Sequence, residues 1–143
     1  MKLEVLTLCD AATDDRGKLN LLGAFDTLWL RQIPAVHPQC AIALRLRFTR
    51  LEEGEHAIKI VIMDADGKPV MPPMDGKLPV RMPPDTNTVA MNLILSIHGL
   101  KLAGFGEYAV DVAMDGRQEA SLPFFVRPVP TPPPGQPGEG RPA

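Results

Sequence analysis

The side chains that could do chemistry in this 143-residue chain are few, and their spacing decides which reactions are worth weighing. Cys9 and Cys40 are the only thiols, and Ser96 and Ser121 the only serines. Neither serine sits in a Gly-x-Ser-x-Gly elbow, so an esterase-type nucleophile is not indicated. His37 and Cys40 stand three residues apart, but no second close pair completes the four ligands of a tetrahedral zinc site. Three Gly-Lys pairs begin at Gly17, Gly67 and Gly76. None has a glycine five positions upstream, so no phosphate-cradling loop is formed and no cofactor is expected. An enzyme using Cys9 or Cys40 as nucleophile would need a depressed thiol pKa.

The acidic turns carry a different chemistry. Asp64 and Asp66 bracket Ala65 at the end of one apolar run, while Asp111 and Asp115 flank another turn. Calcium takes six to eight oxygens, commonly from loops that converge at one end of a sandwich. These four carboxylates therefore define an alternative reading, a calcium-dependent ligand or membrane binder similar to C2-type sandwiches. The competing account is that aspartate before glycine simply makes turns.

What must position these groups is a set of strands. Ile42, Leu44, Leu46 and Phe48 alternate with Arg45, Arg47 and Thr49, and Ile58, Ile60 and Ile62 alternate after the polar turn Glu52–Glu55. Val89, Met91, Leu93, Leu95 and Ile97 repeat the pattern, as do Tyr108, Val110, Val112 and Met114 before Asp115-Gly116. Period-two alternation between turn signals predicts half-buried strands, and no helical period is sustained. Residues 2–9 and 18–30 carry apolar side chains on both faces, which implies burial on both sides or an intermolecular contact. The prolines between residues 68 and 86 predict a long loop or a short edge strand. The expected fold is all-β: a two-layer antiparallel β-sandwich of about seven to nine strands, immunoglobulin-like or C2-like, over residues 1–127. Seven of the last sixteen residues are proline, so residues 128–143 are expected to form a disordered tail.

Phe124 and Phe125 are adjacent, so in a strand they point to opposite faces. If Phe124 joins Leu122 and Val126 in the core, Phe125 points outward. With Trp29 it makes an apolar patch suited to a partner or a second subunit. A net charge of −2 shows no basic field, so neither nucleic acid nor a membrane surface is expected as a partner. The opening residues are too charged for a signal-peptide core, no apolar run is long enough to span a membrane, and a cytoplasmic location is expected. Both cysteines are then expected as reduced thiols.

The run Cys9-Asp10, Gly17-Lys18-Leu19-Asn20 and Leu21-Leu22-Gly23-Ala24-Phe25-Asp26, with the later hairpin around Asp115-Gly116, resembles a bacterial family of uncharacterised single-domain proteins. Tyr108 after Gly106 is also similar to the tyrosine corner of immunoglobulin-like sandwiches. The resemblance covers roughly residues 1–128 and implies the sandwich, but it brings no activity and no catalytic residues. The chemistry and the patterning together point to a non-enzymatic protein-binding or scaffold module. Its expected partner is another protein or a second copy, engaged through Trp29 and Phe125.

Overall fold

The computed structural model describes residues 1–130; residues 131–143 of the expected tail lie outside the described residues. The described residues form nine strands: β1 (Lys2–Asp15), β2 (Lys18–Phe25), β3 (Thr27–Leu30), β4 (Ala35–Thr49), β5 (Gly54–Met63), β6 (Met74–Val80), β7 (Thr88–Leu102), β8 (Gly106–Met114) and β9 (Arg117–Pro128). They make two sheets, β2-β1-β4-β7 and β3-β9-β8-β5-β6. All neighbours are antiparallel except β3, which runs parallel to β9. The all-β sandwich expected from the alternation is therefore what the chain adopts, with one parallel pair at an edge. The proline-rich stretch supplies the short edge strand β6, with Pro79 inside it.

The inward residues of both sheets form one aliphatic core. Ile42, Leu44, Leu46 and Phe48 of β4 face Ile58, Ile60 and Ile62 of β5, Val110 and Val112 of β8, and Phe124 and Val126 of β9. Each large aliphatic or aromatic side chain removed from water contributes roughly 1.5–3 kcal/mol. Tyr108 stacks on Phe124, and its hydroxyl donates to the Gly104 carbonyl at 2.7 Å, which ties the β7–β8 connection to the core.

The first hairpin explains why the early strands are apolar on both sides. β1 pairs with β4 only as far as Cys9, and from Asp10 onward it pairs with β2 alone. There the hairpin turns back over the outer face of the four-stranded sheet. Its tip reaches Arg45 and Asn92, neighbours on β4 and β7. The Gly17 carbonyl accepts Arg45 Nη1 and Asn92 Nδ2, both at 3.1 Å, and Asn92 Nδ2 also donates to Asp14 Oδ2 at 3.0 Å. Ala12 and Leu19 cover Cys9, Ala41, Ala43 and Ile94, a second small apolar cluster outside the main core. Small residues at 41 and 43 let the hairpin sit this close.

Gly23 marks the bend. Its φ of +67° is left-handed, and a Cβ there would lie 2.3 Å from the Asp10 carboxylate. Replacing Gly23 by Ala should therefore cost about 1–2 kcal/mol from the left-handed backbone alone. Ala43→Leu should cost about 1–3 kcal/mol by overpacking the space under the hairpin. Urea midpoints equal to wild type for both variants would show that the hairpin does not press on the sheet.

Candidate functional site

The outer face of the five-stranded sheet gathers the exposed aromatic side chains. Leu28, Phe124 and Val126 are buried, so strict alternation sends Trp29 of β3 and Phe125 and Arg127 of β9 outward. Thr27 pairs with Phe125 and Trp29 with Arg127. The two residues singled out by the sequence thus share one face, with Arg127 between them. Phe125 is half-buried, and the Arg127 guanidinium sits 4.7 Å above its ring, a cation–π contact. Trp29 remains 42% exposed. Two apolar neighbours were not singled out in the sequence. Val129 follows Phe125 and Arg127 in the same period and donates its N–H to the Leu30 carbonyl at 3.0 Å. Phe105 stands one residue before Gly106, which pairs with Val126. Both are exposed, at 42% and 41%. Extending the alternation past Phe125 would have found Val129, whereas Phe105 lies in a turn that period two does not reach.

The four aspartates expected as calcium ligands do not converge at one site in the structure. Asp64 Oδ1 accepts the backbone N–H groups of Asp66 and Lys68 at 2.9 and 3.0 Å, which makes it a turn-former. Asp111 accepts Ser121 Oγ at 2.6 Å. Asp115 accepts the Ala57 N–H at 2.9 Å, seven residues along β5 from Asp64, or roughly 23 Å at the strand rise. Among the described residues no three His, Cys, Asp or Glu side chains are grouped to hold a metal.

Asp115 belongs to a different arrangement, in a hollow of about 430 Å³ at one end of the sandwich. His56 stacks on Phe48 at 5.3 Å between ring centres. With both nitrogens protonated, it donates from Nδ1 to Asp115 Oδ2 at 2.6 Å and from Nε2 to the Glu52 carbonyl at 2.5 Å. The Glu52 carbonyl and then the Asp115 carboxylate hold the imidazole above its usual pKa, and His56 and the Ala57 N–H hold Asp115 below its own. With both nitrogens engaged, His56 has no lone pair to act as a base. The arrangement is a clasp between the β4–β5 turn and the β8–β9 turn.

The cysteines are equally committed to packing. Cys40 faces the core and Cys9 the cluster under the hairpin, so the two free thiols lie on opposite sides of the sheet. Burial pushes Cys40 up to about 11 and also raises Cys9, the reverse of an activated nucleophile.

Two outcomes test this assignment of roles. Because the His56 pKa is raised, its contribution is complete below about pH 6.5 and is lost as pH rises through the raised value. The Asp115 contribution is present above about pH 3.8 and lost as pH falls through the depressed value. His56→Ala should therefore lower the melting temperature by a few degrees more at pH 5.5 than at pH 9, and equal losses would remove the charged clasp. Calcium at millimolar concentration should leave the melting temperature unchanged, since dispersed carboxylates give it no site; a rise reversed by chelator would restore the calcium reading.

Among the described residues no helix is long and apolar enough to cross a membrane. No curated protein matches the chain. Among solved structures it is similar to Pseudomonas fluorescens alkylpurine DNA glycosylase AlkC, described as bound to DNA containing an abasic site analog, with 11% identity and a TM-score of 0.49. The match covers 88% of this chain but only 30% of the glycosylase chain, and at that score it carries no argument about function. One expectation is nevertheless corrected: nucleic acid was excluded on a net charge summed over the whole chain. A sum over all charges does not describe any one face, so the exclusion is withdrawn. The family comparison is of another order: a single family model matches residues 4–127, nearly the whole described sandwich, and the chain belongs to the family of unknown function DUF6941.

Proposed function

We propose that the chain is a non-enzymatic protein-binding module of the bacterial cytoplasm, presenting the outer face of the five-stranded sheet around Trp29 to a partner protein. The observation that carries this reading is the exposed indole of Trp29 beside Arg127, whose guanidinium lies over Phe125, with Val129 next in the same period. Trp and Arg dominate the energetics of protein interfaces because each offers a large, rigid surface with a polar edge. The backbone beneath them is held in the β3–β9 ladder, so little ordering entropy is lost on binding. Buried thiols with raised pKa and a histidine engaged at both nitrogens support the non-enzymatic part. We read the sandwich as immunoglobulin-like on the Tyr108–Gly104 hydrogen bond.

The test compares wild-type protein with Trp29→Ala, both immobilised, for capture from host lysate and for binding of a labelled duplex containing an abasic analogue. An exposed tryptophan can be truncated with little loss of stability, and equal melting temperatures would verify this. The expected result is one protein captured by wild type and weakened roughly thirty-fold by Trp29→Ala, the effect of an interface hot spot. Salt-sensitive duplex binding without a captured protein would replace this reading with a nucleic-acid one. A captured protein indifferent to Trp29 would move the site elsewhere.

A further inference from the structure

β7 stands at the open edge of the four-stranded sheet. It pairs with β4 from Thr88 opposite Thr49 to Leu102 opposite Ala35, without a register shift, and among the described residues no strand lies on its other side. The backbone N–H and C=O groups directed to that side are left for water or for another strand. Sheet edges in folded proteins are ordinarily blunted by short length, proline, lysine or a bend. The other edges here carry such devices. β6 is seven residues long and contains Lys77 and Pro79, β3 is four residues long, and β2 is bent back at Gly23 with the hairpin. β7 carries none of them over Thr88–Ile97, a run with no proline and no charge and no left-handed residue before Gly99.

Side-chain placement points the same way. Val89, Met91, Leu93 and Leu95 pack against the core yet are only half-buried, and among the described residues no strand pairs with β7 beside them. Ala90 and Ile94 lie on the outer face with Asn92 between them. Asn92 is already satisfied by Asp14 and Gly17 of the hairpin, so it brings no unpaired polar group to a new neighbour.

We infer that β7 pairs antiparallel with β7 of a second copy, joining the two four-stranded sheets into one continuous sheet. The occupant is a second copy because this strand is complementary to itself. A two-fold axis at Asn92 sets Met91 opposite Leu93 of the second copy and Val89 opposite Leu95, all on the core face. On the outer face Ala90 meets Ile94. No charges are opposed, and the two half-open cores close against each other. Roughly one ladder hydrogen bond per residue forms along the ten-residue run. The inference is independent of the Trp29 surface, which lies on the other sheet.

Sedimentation of the full chain across 1–200 µM tests it, together with Ala90→Glu/Ser96→Glu. Both substitutions lie on the outer face, and a carboxylate at position 90 would fall beside Arg47 within its own chain. Across the two-fold, residue 90 of one copy is the diagonal neighbour of residue 96 of the other, so pairing would bring like charges together. Wild type should sediment at twice 15.5 kDa and the double variant at 15.5 kDa. If the variant fails to fold, hydrogen exchange of wild type decides: amides of residues 88–97 should exchange faster on dilution while those of β5 do not change. A wild-type monomer throughout, including one whose edge captures a strand from another protein, overturns the inference. So does a dimer that survives the two glutamates, or exchange in β7 that ignores concentration.

Discussion

The structure depends on β4 being buried on both faces. Cys40 to Leu44 are five consecutive buried residues, a pattern an ordinary sandwich strand with one wet face does not show. One side of the strand is covered by the opposing sheet and the other by the returning hairpin. The second cover requires Cys9, Ala41 and Ala43 to be small and requires the chain to turn sharply at Gly23. The hairpin's hold on Arg45 and Asn92 then fixes the charged side of the sheet as well. Arg45 and Arg47 share the Glu4 carboxylate, at 3.2 and 2.8 Å, so the basic side chains of β4 are engaged within the fold.

The polar groups that looked most chemical in isolation are used to tie turns together. Asp64 closes its own turn, Asp14 steadies the hairpin tip, and Asp115 clamps His56 across one end of the sandwich. Asp14, Asp64 and Asp115 are each engaged by backbone or side-chain donors, and Asp64 and Asp115 lie toward opposite ends of β5. The exposed aromatic side chains, Trp29 and Phe105, lie on the five-stranded sheet or its connection, while exposed Leu22, Val36 and Leu51 are scattered elsewhere. The division is physical: one sheet has the returning hairpin over it, and among the described residues no element covers the outer face of the other.

Much of this was legible in the residues. Alternation at Ile42–Phe48, Ile58–Ile62 and Tyr108–Met114 named the inward faces because a strand's side chains alternate with a period of two, whatever the topology. The same rule sent Phe124 inward and Phe125 outward. The double-sided apolar character of residues 2–9 and 18–30 announced an extra contact without saying with what. Membership of a family of unknown function fits the early motif, whose residues Cys9, Asp10, Gly17 and Gly23 all lie in the hairpin that folds back.

What the sequence by itself determined was the class of fold, the inward and outward side of most strands, and the scarcity of reactive groups, all of which are local properties of residue type and spacing. Only the tertiary structure decided where the ends of the strands meet. It put Asp64 and Asp115 at opposite ends of β5, sent Cys9 and Cys40 to different sides of one sheet, and set Trp29 beside Arg127 through a parallel pairing. It also left β7, among the described residues, with β4 on one side and no strand on the other. Strand order and register are long-range pairings whose energies depend on which faces end up in contact, and no window of neighbouring residues contains that information.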